Sequence, residues 1–374
     1  MEADRHFVCT LSGMQTDLAA FRKELRQRCQ PIHGDGYPDV ATELARVAAW
    51  CKEVGAEADV YGRGEFVETF EAKLAGLFGM EAARFLPSGT MAQGIAMRIW
   101  CQDRQAFGMH PTSHLELHEE RGYSQLFGLE AVLVGPRHKE MLAEHLASVH
   151  DPLAALLMEL PTRENGGRLP NWEQLEELCA LARSRSIRLH LDGARIWQAQ
   201  AAYGRSLAEI GALFDSIYVS FYKDVGALPG AMLMGSREFL DQARLWQRRM
   251  GGNLYTLLPN VASAASRLDG KLTRFAVYRE RALALAEGLS PIAGLRLFPD
   301  PPQASMMHVL LDLAPEAALF ARDRVAEESG LWLFGAVQPC ERQDQCRFEL
   351  SIGEAATQLD LGAMVTGFRS LLQA

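Results

Sequence analysis

The sequence predicts an α/β protein: a large domain built on a mainly parallel sheet, followed by a smaller α+β domain. Three observations carry this. From about residue 130, short β-rich apolar runs alternate with longer helical patterns, as in GLEAVLVG, AALLMEL, NWEQLEELCALARSRS and IRLHLD, and such alternation marks a parallel sheet covered by helices on both faces. After about residue 275 the texture changes to a long Ala/Leu/Arg helix and then short strands mixed with helix, the pattern of an α+β unit. The 374 residues exceed what one small domain uses and suit two packed units. The expected boundaries are an N-terminal arm or helical segment over 1–50, a large domain over 51–275 and a small domain over 276–374.

Taken in order, the first 45 or so residues are irregular. Residues 51–85 read as helical, including the amphipathic stretch EFVETFEAKLAGLF, and SGTMAQGIAMRIW opens another helix. GLEAVLVG is a strand, residues 137–148 a helix, AALLMEL a strand, NWEQLEELCALARSRS a helix and IRLHLD a strand. SIYVSF and GAMLMG are two more strands, and a helix begins near Ser236. In the C-terminal part, RFAVYRERALALAEGL is a helix, and GLRLF, SMMHVLLDL, LWLF and RFELSIG are strands with one more helix among them. Parallel sheets bind ligands at the carboxyl ends of their strands, so the residues that directly follow the apolar runs are the ones to search for chemistry.

Composition narrows the class of ligand. Apolar residues make up 48% and charged residues 23%, an ordinary globular balance. The net charge of -9, with no Lys/Arg block, argues against a nucleic-acid or anionic-membrane surface and for a small-molecule partner. Residues 1–20 lack the layout of a signal peptide and no apolar run approaches the roughly 20 residues of a spanning helix, so a cytoplasmic location is expected. Seven cysteines, an odd number without a CxxC pair, read as reduced structural thiols.

Four stretches carry candidate chemistry. In PSGTMAQ, Ser88, Gly89 and Thr90 stand at a turn entering a helix, where orphan N–H groups and a hydroxyl suit a phosphate; the same residues also make an ordinary helix cap. In SFYKDVGALPGAMLMG, Lys223 lies between two apolar strand-like segments, where a desolvated amine has a lowered pKa and can form a Schiff base. In HLDGAR, Asp192 at a strand end can pair with a pyridinium nitrogen and Arg195 can meet an anionic oxygen, or the two can form a local ion pair of small consequence. In HPTSHLELHEERG, His110, His114 and His118 recur every four residues, which on one helix would stack three imidazoles as a metal site. Pro111 places His110 ahead of the first turn and weakens that reading.

The order SGT, His114, Asp192, Arg195, Lys223 resembles the threonine aldolase / β-eliminating lyase family of fold-type I (aspartate aminotransferase-like) pyridoxal-phosphate enzymes, from about residue 57 to 262. DVYG and SGTMAQ are similar to that family's D-V-Y-G-x-D segment and S-G-T-M-A-N turn, HLDGAR matches its most specific motif without change, and FYKDVGALPGA is similar to its lysine turn. The resemblance implies pyridoxal 5'-phosphate held as a Schiff base by Lys223, Asp192 on the ring nitrogen, His114 (with Glu119 five residues on) over one ring face, and Ser88, Gly89 and Thr90 at the phosphate. It further implies Arg195 and Arg347 as carboxylate anchors, Tyr61 near the active site, His33 in the space of the family's N-terminal segment, and a homodimer or homotetramer. The reaction implied is cleavage of a β-hydroxy-α-amino acid to glycine and an aldehyde, with β-elimination as the alternative on the same scaffold and His114 as the expected base.

Departures fall near the substrate. Where the family has E-N-T-H-N this chain reads ELPTR from Glu159, placing Thr162 at the histidine; Tyr222 replaces the serine before the lysine; and Tyr255 stands for the arginine of G-G-G-M-R.

Overall fold

A computed structural model of the chain describes residues 17–36, 39–102 and 106–373. Cys9 and the first sixteen residues of the expected arm, with Tyr37 and Pro38 of GDGYP, lie outside the described residues. The chain divides into two compact units, Pro38–Arg279 and Met1–Tyr37 together with Glu280–Ala374. The helix Val40–Val54 runs through the expected boundary at residue 50.

A helix over 17–28 and the two-residue strand β1 (Gln30–Pro31) come first. The strands of the large unit follow: β2 (Ala82–Leu86), β3 (Ala106–Met109), β4 (Ala131–Leu133), β5 (Leu153–Glu159), β6 (Arg188–Gly193), β7 (Ser216–Ser220) and β8 (Ala231–Gly235). They form one sheet in the order β2-β8-β7-β6-β5-β3-β4. Pairing is parallel throughout except where β8 meets β7 and β2, so the sheet is mainly parallel, as the alternating pattern predicts. Both faces are covered: Leu156, Met158, Leu189 and Leu191 pack into one apolar layer, and Ala155, Leu157 and Tyr218 into another.

Two readings change in this unit. Residues 82–86, read as helix, form β2; Gly79, with φ +66°, ends the helix Glu65–Phe78 in a left-handed cap, and Phe85 and Leu86 are then buried in the sheet. The strand β3 has no strong apolar signature because its AFGM run includes Gly108, where a side chain would come within 2.8 Å of Leu156. The helix read over 137–148 contracts to Ala143–Ala147, since Leu142 N–H donates to His145 Nδ1 (3.0 Å) and closes its first turn there.

In the other unit, β9 (Leu295–Phe298), β10 (Met306–Leu311), β12 (Gln338–Pro339) and β13 (Cys346–Ser351) make an antiparallel sheet ordered β12-β13-β10-β9, and β11 (Leu331–Trp332) pairs in parallel with β1. Helix Pro315–Ser329 and helix Leu361–Leu371 contribute Val325, Met364 and Phe368 to its core. This is the α+β texture read from the sequence.

Candidate active site

Strand register assembles the centre of the site. Glu159 on β5 is the Cα partner of Asp192 on β6, and Asp192 is the partner of Tyr218 on β7. Because side chains alternate across a strand, these three project from one face at the carboxyl ends of neighbouring parallel strands. Asp192 is buried, and its Oδ1 accepts from Ala194 N–H (3.1 Å). Gly193 follows because a Cβ there would lie 2.6 Å from the Tyr218 carbonyl oxygen; only glycine lets the turn pass so close to β7. Arg195 then stands at the N-cap of helix Ile196–Tyr203. From that helix Gln198 donates Nε2–H to Asp224 Oδ1 (2.9 Å), which ties it to the loop carrying Lys223.

Lys223 sits half-buried between β7 and β8, its Nζ 5.6 Å from the Tyr222 ring centroid. Burial lowers its pKa; the Asp192 charge acts against that and Arg195 adds to it. Burial raises the Asp192 pKa, with the Lys223 charge opposing the rise and His114 and Glu119 also acting on it. These mutual influences put the lysine, the strand-end carboxylate and His114 within one electrostatic neighbourhood.

The Ser88–Thr90 turn reaches the same face. Ser88 caps helix Gly89–Trp100, its Oγ accepting from Met91 N–H (3.3 Å), and the Gly89 and Thr90 N–H groups fall in the first turn, where no acceptor exists within the helix. A Cβ on Gly89 would lie 2.0 Å from the Tyr218 hydroxyl oxygen, so the turn abuts the row that holds Asp192. Thr90 is exposed, Ser88 half-buried and Gly89 buried. The helix is fastened to the sheet by buried polar bonds. His190 bonds Gln93 Oε1 and Ser216 Oγ, each at 2.8 Å, and Trp100 Nε1–H donates to Ser216 Oγ (2.7 Å). Burial pushes the His190 pKa down to about 3, so the ring is neutral.

The three histidines of HPTSHLELHEERG part company. The helix there is only His114–Leu117. His110 is buried on Thr112 Oγ1 (2.7 Å) and the Pro136 carbonyl (3.1 Å), His114 pairs with Glu119 (2.9 Å) and His118 with Glu164 (2.9 Å). His114 and His118 rings lie 5.0 Å apart, but among the described residues no three such side chains are grouped to hold a metal. Thr162 is buried and its hydroxyl donates to the Glu159 carbonyl (3.4 Å).

Tyr61 occupies a built loop. Its backbone is left-handed (φ +55°), its N–H donates to the Tyr255 carbonyl (2.8 Å), and the two exposed rings meet edge-on at 5.5 Å. Buried Asp59 fixes the loop by accepting from Gly62 N–H (2.7 Å), Leu257 N–H (2.7 Å), Leu258 N–H (3.0 Å) and the Thr256 hydroxyl (2.7 Å). Arg347 and His33 belong to the other compact unit: Arg347 Nε–H donates to Gln338 Oε1 (3.2 Å) on the neighbouring strand, and His33 Nδ1 accepts from Ser351 N–H (3.2 Å).

Sequence reading passed over Glu159, Tyr218 and the Gln93–His190–Ser216 bonds. For Glu159 a signal existed: AALLMEL and IRLHLD are consecutive strand-like runs that each carry an acid at or next to their carboxyl end.

The beta-eliminating lyase family profile matches residues 17–312. A probable low-specificity L-threonine aldolase 2 of Arabidopsis thaliana is 30% identical over 267 residues, 68% of this chain and 75% of that one. The crystal structure of a putative L-allo-threonine aldolase from Listeria monocytogenes EGD-E superposes with a TM-score of 0.89 at 35% identity, covering 95% of this chain and 99% of that chain. A putative aromatic amino acid beta-eliminating lyase/threonine aldolase from Exiguobacterium sp. 255-15 gives 0.88 at 38% identity, covering 94% and 99%. With the strand-end aspartate, the glycine turn and the half-buried lysine at the carboxyl end of the sheet, and with this likeness along most of its length, the chain belongs to the beta-eliminating lyase family, pyridoxal-phosphate-dependent enzymes of fold type I.

Proposed function

We propose that the chain is a pyridoxal-phosphate-dependent aldolase that cleaves the Cα–Cβ bond of L-threonine, L-allo-threonine or a related β-hydroxy-α-amino acid to glycine and an aldehyde. The observation that carries the reading is the register of Asp192 beside Tyr218, which brings a buried carboxylate, the Gly89 turn and Lys223 together at the carboxyl end of the sheet. The donor set fits the cofactor: unspent helix N–H groups for a phosphate, a buried carboxylate for a ring nitrogen and an amine of lowered pKa for a carbonyl.

When bound, the cofactor supplies an electron sink for the pair released at the α-carbon. Lys223 is the amine that holds it, made nucleophilic by burial. Asp192 keeps a proton on the ring nitrogen. Gly89 and Thr90 N–H groups and the Ser88 cap hold the phosphate, and Arg195 takes an anionic oxygen of the ligand. His114, oriented through Nδ1 by Glu119, has its other ring nitrogen available to accept the proton of the substrate β-hydroxyl. Arg347 and Tyr61 are assigned to substrate binding on the family pattern, and His33 on its place beside GDGYP, where the family's N-terminal segment has no clean match. The exposed Tyr61–Tyr255 pair supports association of copies of the chain as a dimer or tetramer.

Incubating the holoenzyme with L-threonine, L-allo-threonine and β-phenylserine tests the reaction. Glycine with the matching aldehyde is expected; ammonia with a keto acid would replace aldol cleavage by β-elimination. Lys223→Ala is expected to lose both the visible absorbance of the bound cofactor and glycine formation, and a yellow, borohydride-bleachable Lys223→Ala protein would overturn the assignment of the lysine.

A further inference from the structure

Glu159 is an ionisable group in the central row of the site for which the proposed mechanism has no use. The residue is half-buried, its Oε1 accepts from Arg163 N–H (2.9 Å), and its Oε2 is closed off from solvent with no partner. A shielded polar atom without a partner is rare in a folded protein and calls for a ligand, water or function. Its strand partner is Asp192, and neighbouring strands lie about 4.8 Å apart, so two carboxyl groups stand side by side on one face at the carboxyl end of the sheet. Both cannot carry charge cheaply there. Asp192 has the stronger claim on it, with the Ala194 N–H and Lys223 as its largest favourable influences. Glu159 is pushed up to about 7, first by burial and then by the Asp192 charge, with the Arg163 N–H, Arg195 and His114 pulling the other way; Lys223 senses it as well. Of the two, Glu159 is therefore the carboxyl that takes up a proton more readily, and in that form its hydroxyl is a donor.

We propose that Glu159 is a ligand-binding residue of this site, presenting a neutral carboxyl whose Oε2–H donates to an oxygen of the bound ligand. The assignment rests on the aldolase reading for the identity of that ligand. It gives the orphaned oxygen its partner and lets two adjacent carboxyl groups divide the work: Asp192 as the charged acceptor toward a ring nitrogen, Glu159 as the neutral donor toward an oxygen. No bond is made or broken at Glu159.

The test compares Glu159→Ala with Glu159→Gln, whose amide is also a neutral donor of similar shape. Dissociation constants for pyridoxal phosphate, from equilibrium dialysis of the cofactor-free proteins, are expected to rise at least about tenfold in Glu159→Ala, the factor for one hydrogen bond to a charged acceptor, and to stay within about threefold in Glu159→Gln. If cofactor affinity holds and KM for the β-hydroxy amino acid follows the same Ala-against-Gln split, the acceptor oxygen is the substrate's. If Gln is as damaging as Ala in both measurements, Glu159 acts as an anion and the proposal fails; it fails equally if Ala moves neither. Infrared spectra of the cofactor-free protein at pH 6 provide a readout without turnover: the carboxylic-acid C=O band of wild type should lose intensity in Glu159→Gln, and an unchanged band overturns the neutral state. Failure of the aldolase reading is separate, since it shows as wild-type protein that yields no glycine while these binding constants still divide Ala from Gln.

Discussion

Replacing Asp59 by alanine should loosen the Tyr61 loop at a cost that its hydrogen bonds allow to be worked out. Oδ2 accepts from Gly62 N–H, while Oδ1 accepts from Leu257 N–H, Leu258 N–H and the Thr256 hydroxyl. On removal of the carboxylate, Leu258 N–H still has the Thr256 hydroxyl oxygen at 3.2 Å. Gly62 and Leu257 N–H are left buried without an acceptor, at about 1–3 kcal/mol each. The carboxylate also sits at the start of helix Leu258–Leu272, where losing its charge costs a further ~0.3–1 kcal/mol. Asp59→Ala is thus expected to destabilise the protein by about 2–7 kcal/mol. Asp59→Asn keeps Oδ1 but turns an NH2 toward Gly62 N–H, so one donor is orphaned and the charge at the helix start is lost, and the loss should be about 1–4 kcal/mol. Urea unfolding followed by fluorescence measures both. An alanine variant that loses less than about 1 kcal/mol, or an asparagine variant that matches it, would refute the reasoning.

Two further predictions follow from burial and contact. Gly89→Ala drives a methyl to within 2.0 Å of the Tyr218 hydroxyl; it should cost about 1–3 kcal/mol by overpacking and weaken cofactor binding, and adding Tyr218→Phe should recover only part, because the ring carbon behind the hydroxyl is itself 2.5 Å away. Thermal unfolding of the cofactor-free variants checks the first effect and dialysis against pyridoxal phosphate the second. Glu71, buried under β2 with Oε1 on Phe85 N–H (2.8 Å), has its pKa raised by burial from 4.5 to about 7. The folded state therefore holds this proton more tightly than the unfolded chain. The stability it confers is complete below about pH 4.5 and lost as pH rises through about 7, roughly 3 kcal/mol over that window. Glu71→Gln should flatten this part of the stability-pH curve, and an unchanged slope would sink the idea.

The large sheet was legible because β5 to β8 are short runs rich in apolar residues and bounded by turn residues, a pattern that burial on both faces favours. The Asp192, Arg195 and Lys223 stretches could be found for the same reason, since each stands at the end of such a run; Ser88–Thr90 could be found from the turn that enters a helix. What periodicity could not reveal depends on neighbours in space. AARFL reads as helix until Gly79 cuts the preceding helix and β8 offers it a partner. AFGM is too short to declare itself. His114 and His118 have helical spacing, yet His110 is drawn away by Thr112 and the Pro136 carbonyl. Glu159 shows in the sequence only as an acid near the end of an apolar run, and its pairing with Asp192 comes from strand register.

The bonds joining Gln93 and Trp100 to His190 and Ser216 bear on assembly of the enzyme. They run along the helix that begins at Gly89 and end on His190, two residues before Asp192, so sliding the helix along the sheet would break several shielded polar bonds together. The spacing between the Ser88–Thr90 turn and the strand-end carboxylate is therefore a gauge cut into the protein interior. On the proposed assignment of that turn to a phosphate and of Asp192 to a ring nitrogen, cofactor selection would begin as a measurement of length.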